Sequence, residues 1–221
     1  MGFWQAATGN HEICEALLSE LDSRGLVLSK KILVVTDEGK GIIKAFRERQ
    51  GSGLIHQRCT IHGDRNIQRH LAKRWRKEAH PRFRTALEQN SYADAKRMLK
   101  DFEQWLRQLN ESAADSLKEA FEEILTLHRL KVPALLRKTL HSTDPIESMF
   151  STVRDCACLL SRQEGNLKRY RGSRIAQRWL GAALLHCEPG FKRVKGYAGI
   201  KQVMAAIEAE QAEGRKVKSA A

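Results

Sequence analysis

The run Ile32-Leu33-Val34-Val35-Thr36 constrains this chain more than any other segment. Five apolar or β-branched residues without a polar interruption are too short for a helix and read as a buried strand. The run ends at Asp37, which places a carboxylate at a strand's C-terminal end. Before it, Ile13, Ala16, Leu17 and Leu21 recur at helical spacing, and Gly25 comes next as a stop. After it, Ile42, Ile43, Ala45 and Phe46 predict a second helix, closed by Gly51 or Gly53, and Leu54 to Cys59 reads as a second strand. Helix, strand, helix, strand is α/β wiring.

The period then changes. From about Ile67 to Leu140 the pattern is purely helical: Tyr92, Ala95, Leu99, Phe102, Leu106 and Leu109 step by three or four residues, with Trp105 on the flank. Leu117, Phe121, Ile124 and Leu125 repeat the pattern, and Pro133 and Pro145 punctuate the chain beyond them. The reading is four segments: an α/β part over 1–66, a helical insertion over 67–140, helices over 141–207, and a small, charged, aperiodic tail over 208–221, expected to be disordered. The whole is α/β in class and predominantly helical.

Charge narrows the partners. The chain carries 39 basic against 26 acidic residues, a net +13. A protein this basic suits a polyanion, because each neutralised phosphate releases condensed counterions. Seven Arg and Lys lie between Leu54 and Lys77 against Asp64 alone, and Lys168, Arg169, Arg171, Arg174 and Arg178 form a second run without an acid. Either run is a phosphate-contacting surface or a solvated face. No apolar stretch approaches the roughly 18 residues of a membrane span, and Met1-Gly2-Phe3-Trp4-Gln5 has no look of a secretory leader. Five scattered cysteines suggest no disulfide framework, so a reducing cytosol is the expected setting.

Asp37 stands where open α/β sheets place ligands, and equally where a turn or the next helix would use a carboxylate. Glu147 lies in Ser142-Thr143-Asp144-Pro145-Ile146-Glu147-Ser148, where Asp144 as cap, Pro145 in the first turn and Glu147 three residues on form a capping box. The same helix places Ile146, Met149, Phe150 and Val153 on an apolar stripe and Glu147, Ser151 and Arg154 on another face. A carboxylate sharing a face with an arginine suits metal and phosphate. Cys59 and His62 have a zinc-compatible spacing, yet a structural zinc needs four ligands and Cys156-Ala157-Cys158 has the wrong separation, so no structural zinc is expected.

Four stretches, in order, carry a family resemblance: Val34-Val35-Thr36-Asp37-Glu38-Gly39; Gln57-Arg58-Cys59-Thr60-Ile61-His62-Gly63-Asp64-Arg65-Asn66; Ser142 to Ser148; and Phe191-Lys192-Arg193-Val194-Lys195-Gly196-Tyr197. A weaker one spans Glu123 to Leu130. Together they resemble the Mutator-type transposases of bacterial insertion sequences. The resemblance implies an RNase H-like core interrupted by a helical insertion, and a DDE set of three carboxylates holding two Mg²⁺ or Mn²⁺ ions for DNA strand cleavage and joining. Asp37 matches the second aspartate and Glu147 the glutamate, both metal ligands. Cys59 and His62 match a supporting pair, to which Arg154 is added.

It further implies double-stranded DNA as partner, a homo-oligomeric intact enzyme, and a cytoplasmic, nucleoid-associated location. Lys168, Arg169, Arg171, Arg174, Arg178, Lys192, Arg193 and Lys195 are the expected DNA contacts. Three positions depart from the family pattern: Glu38 for Gly, Gly63 for Lys and Asp144 for Asn. The family's first aspartate falls on a strand before Phe3-Trp4, and Asp22, in a helical pattern, cannot replace it. The expectation is an amino-terminally truncated core, inactive alone. The alternatives are a non-enzymatic, DNA-binding remnant and a basic RNA-binding protein.

Overall fold

A computed structural model describes residues 10–27, 32–163 and 173–219. Among the described residues the chain is predominantly helical with a two-stranded parallel sheet, and it divides into two compact units. The larger holds residues 9–143 and 195–221; the smaller includes 144–194.

In the larger unit, α1 (His11–Ser23) and α2 (Lys40–Gln50) flank β1 (Leu33–Thr36), and β2 (Ile55–Arg58) comes after them. Asn10 caps α1 by accepting the Ile13 N–H at 3.1 Å, and Gly25, at φ +91°, turns the chain out of it. Leu18 and Ala45 join the two helices, with Cys14, Leu21, Ile32 and Phe46 around them. Arg49 adds a polar clasp, binding Glu15 at 2.6 Å and also Asp22.

The strands run parallel with Leu33 opposite Ile55 and Thr36 opposite Arg58, α2 supplying the crossover that parallel pairing needs. Both expected strands therefore form. Their burial differs from the expectation: in apolar β1 only Val34 is buried, whereas all four residues of β2 (Ile55, His56, Gln57, Arg58) are.

The helical block is α3 (Thr60–His70), α4 (Lys73–Glu88), α5 (Tyr92–Leu109) and α6 (Glu111–Ile124). Its core takes the periodic residues Ala95, Leu99, Phe102 and Leu106 of α5 and Leu117, Phe121 and Ile124 of α6. Trp105 stacks on Phe102 at 5.8 Å and meets Trp75 edge-on at 6.2 Å. Ser91 and Asn110 cap α5 and α6, each accepting an N–H at 3.0 Å. Two short helices come next, α7 (Thr126–Arg129) and α8 (Ala134–Leu140).

Between α6 and α7 the helix breaks, which leaves backbone groups without intrahelical partners. Gln57, fully buried, supplies them: its amide donates to the Ile124 carbonyl at 3.0 Å and its carbonyl accepts the Leu127 N–H at 3.1 Å. Thr126 Oγ1 donates to the His56 carbonyl at 2.6 Å. The Thr126 bond also meets a backbone carbonyl of β2 that its pairing with β1 does not use.

The last helix, α11 (Ile200–Ser219), returns Val203 and Ile207 to a core with Ile55, Leu127, Leu130, Val132 and Leu136. It continues through 208–219, the segment read from composition as disordered; Ala, Glu and Lys there are strong helix formers extending an anchored helix. Entry to it depends on Gly196, at φ +77°, where an added Cβ would stand 2.6 Å from the Leu136 nitrogen.

The smaller unit contains α9 (Asp144–Gln163) and α10 (Ser173–Cys187), the latter leading into a 3₁₀ turn at Glu188–Gly190. Val153, Ala183, Leu184 and Cys187 form its core, with Met149, Cys156 and Leu180 packed on them. Of the predicted apolar stripe, Met149 and Val153 turn inward while Ile146 and Phe150 are exposed.

Candidate catalytic residues and DNA-contact surface

Asp37 comes directly after β1 and is exposed. One oxygen, Oδ1, accepts the Gly39 N–H at 2.9 Å, and Gly39 caps α2 without a side-chain bond. The carboxylate thus sits in a turn at the helix's N-terminal end, with Oδ2 unbonded among the described residues. Thr36, just before it, is held by His56 Nε2 at 2.8 Å. The strand end is therefore fixed by β2 while the carboxylate faces out.

Glu147 lies in the first turn of α9 and is exposed, as are Ser151 and Arg154 on the same helical face. Asp37 belongs to the larger unit and Glu147 to the smaller.

Cys59 and His62 act as a fastening. Cys59 N–H donates to the Thr36 carbonyl at 2.7 Å, extending the sheet register by one residue. Its buried Sγ lies 3.2 Å from His62 Nδ1 and accepts the Thr143 N–H and hydroxyl, each at 3.4 Å. Beside it, Thr60 N–H donates to the His141 carbonyl at 2.9 Å and Thr60 Oγ1 meets His141 Nδ1 at 2.6 Å. Together with Thr60, the pair ties the β2–α3 junction to His141 and Thr143, and α9 with Glu147 begins at the next residue.

The basic residues separate into two kinds. In the first run Arg58 turns inward onto Glu123 at 2.8 Å, while Arg65, Arg69, Lys73, Arg74 and Lys77 are exposed. In the second, Arg178 is exposed on α10, and Arg174 stands one turn earlier on the same helix. Lys192, Arg193 and Lys195 are exposed in the segment after α10. Lys168, Arg169 and Arg171, like Phe3 and Trp4, lie outside the described residues.

Sequence reading missed two ionisable groups, half-buried Glu123 and buried His128. Glu123 meets Arg58 and Arg47, each at 2.8 Å, and His56 Nδ1 approaches it at 3.3 Å without forming a well-aligned bond. Burial disfavours its charge, but His56 and Arg58 outweigh that and hold its carboxyl down at about 2. His128 donates from Nε2 to the Leu87 carbonyl at 3.0 Å, on the wall of a cavity of about 410 Å³ that Arg137 also lines. Burial first, and the Arg137 charge second, push its imidazole down to about 4. The one available signal was position: both fall in the weaker motif from Glu123 to Leu130.

A sequence profile described as "Transposase, Mutator family" matches residues 1–163. The chain belongs to the Mutator family of transposases, DNA-binding and DNA-cleaving enzymes. Comparison with curated proteins gave no match. Among the described residues no helix is long and apolar enough to cross a membrane.

Proposed function

We propose that the chain serves cut-and-paste DNA transposition by DDE-type, metal-dependent phosphoryl transfer, with Asp37 and Glu147 as two of its carboxylates. The observation that carries this reading is Asp37: an exposed carboxylate at the end of a parallel strand, one oxygen tied to Gly39 and the other unbonded among the described residues. Hard oxygen donors of this kind suit Mg²⁺ or Mn²⁺. Two such ions, when bound, stabilise the attacking and leaving oxygens of a phosphodiester. Asp37 and Glu147 would hold them, Arg154 would face the phosphate, and Cys59 and His62 would have a supporting role. The parallel β1–α2–β2 unit leading into a helical block is compatible with an RNase H-like core carrying an insertion.

The exposed cations Arg178, Lys192, Arg193 and Lys195, with Lys168, Arg169, Arg171 and Arg174, are proposed to track double-stranded DNA in a homo-oligomeric enzyme at the nucleoid. Cys59 and His62 supply two of the four ligands a structural zinc requires, so no stoichiometric zinc is proposed. The third carboxylate of DDE chemistry matches no residue of 1–221. A polypeptide of these residues is proposed to bind DNA and leave it uncut, since losing such electrostatic stabilisation costs about a hundredfold or more in rate. The second reading, a non-enzymatic DNA-binding remnant, rests on the net charge of +13 and differs in having no metal site.

Mn²⁺ titration monitored by electron paramagnetic resonance separates them. Asp37→Asn and Glu147→Gln are each expected to weaken Mn²⁺ binding about tenfold, roughly one lost carboxylate ligand, while Asp155→Asn leaves it unchanged. Equal affinity in all four proteins removes the catalytic reading and leaves the remnant. Metal-dependent cutting by residues 1–221, abolished by Asp37→Ala, would refute the proposed inactivity.

A further inference from the structure

Cys156 on α9 and Cys187 at the end of α10 bring their sulfurs to 2.9 Å of each other. That is less than an ångström beyond a covalent disulfide's length of about 2.05 Å. The contact is built into the unit: the two helices hold it through Val153, Ala183 and Leu184, with Met149 and Leu180 packed alongside. Cys14 and Cys59 are engaged elsewhere. Cys59 is tied to Thr143 and His62, and Cys14 packs against the Leu18–Ala45 cluster.

We propose that Cys156 and Cys187 form a dithiol modification site that small-molecule disulfides of the glutathione type convert to an intramolecular disulfide. Cys156 is the more accessible of the two and is the point of entry; Cys187 is 7% exposed. In the first step Cys156 sulfur, losing its proton, attacks one sulfur of the oxidant, and the other sulfur leaves as thiolate and takes up a proton. In the second, Cys187 sulfur loses its proton, attacks Cys156 sulfur and expels the remaining half, which is protonated in turn. Two protein thiols are oxidised by two electrons, and one small disulfide is reduced to two thiols. Closure is favoured over a lasting mixed disulfide because the resolving sulfur is already in place. In the reduced pair the hydrogen bond with Cys156, and then burial, raise the Cys187 thiol to about 11, so Cys156 is the sulfur that reacts first. The product pins α9, which carries Glu147, to α10, which carries Arg174 and Arg178. This inference stands apart from the catalytic reading and needs no metal.

The test uses the reduced 221-residue chain with oxidised glutathione as the probe, then denaturation, alkylation and peptide mapping. The expected product is a Cys156–Cys187 cross-linked peptide about 2 Da below the sum of its reduced parts, with Cys14 and Cys59 alkylated. Dithiothreitol should reverse it, and Cys158→Ser should leave it intact. Oxidation should raise the thermal midpoint by roughly 5 °C or more, as expected for closing a loop of this order. Cys156→Ser and Cys187→Ser should each abolish both the cross-link and the shift. A stable glutathione adduct on Cys156, a Cys158–Cys187 link in place of the expected one, or two alkylatable thiols at 156 and 187 would each overturn the proposal.

Discussion

β1 and β2 are neighbours in one sheet, yet they are buried for opposite reasons. β1 is Leu-Val-Val-Thr and only half-buried; β2 is Ile-His-Gln-Arg and buried throughout. Hydrophobicity alone would rank them the other way. β2 tolerates burial because its side chains have partners: Gln57 at the α6–α7 break, His56 on Thr36, Arg58 on Glu123. An apolar residue is content with any close neighbour, whereas a buried polar one needs a particular partner at a particular place. The apolar strand should therefore tolerate change and the polar strand should not.

The largest break should come at Arg58 and Glu123. Removing Glu123 leaves Arg58, which is buried, charged and uncompensated. Glu123→Ala is expected to lower unfolding free energy by about 3 kcal/mol, read by urea titration. A change below about 1 kcal/mol would place the pair among exposed salt bridges.

Acid should expose the same region in two stages. His128 titrates at about 4 in the fold against an ordinary 6.5, so the unfolded chain takes up its proton first as pH falls. Its contribution is whole above pH 6.5 and is lost between 6.5 and about 4. Glu123, at about 2 against 4.5, is lost between 4.5 and about 2. Each window is expected to cost about 2 to 3 kcal/mol. His128→Gln should flatten the upper window and spare the lower; an unaltered upper window would mean that other groups control it.

Gln57→Leu keeps the volume and strips the partners. The Ile124 carbonyl and the Leu127 N–H are then unmet in a dry interior, an expected loss of about 2 kcal/mol. Val35→Ala in β1, where the side chain is partly exposed, is expected to cost about 1 kcal/mol or less. If Val35→Ala costs more than Gln57→Leu, the comparison fails.

This contrast also marks how far the sequence was legible. The strands and the α5–α6 core can be read from periodicity, because apolar packing repeats with the geometry of the element. The partners of Gln57, Glu123 and His128 could not be read, because one-to-one polar contacts join positions such as 57 and 124 that no local period links. The resemblance singled out Cys59 and His62 without their physical task. That task became visible only when Thr143 was found on the same sulfur. Residue type was an equally poor guide to the cations: Arg58 and Arg178 look alike in sequence.

Of those two arginines, Arg178 gives the smallest effect on stability and the sharpest on binding. Arg58 is buried on Glu123 and can meet no phosphate without unfolding its pair, whereas Arg178 is exposed on α10. Counterion release makes the logarithm of DNA affinity fall linearly with the logarithm of salt, by about 0.9 per phosphate neutralised. Arg178→Glu is therefore expected to leave the urea midpoint unchanged and to reduce the salt slope by about 1. Adding Arg174→Glu, one turn away, should reduce it by about 1 more. Fluorescence anisotropy on two duplexes of unrelated sequence checks this, and both should change alike because phosphates carry no sequence information. An unchanged slope would make the α10 cations ordinary solvated charges and move the DNA surface to the exposed arginines and lysines of α3 and α4.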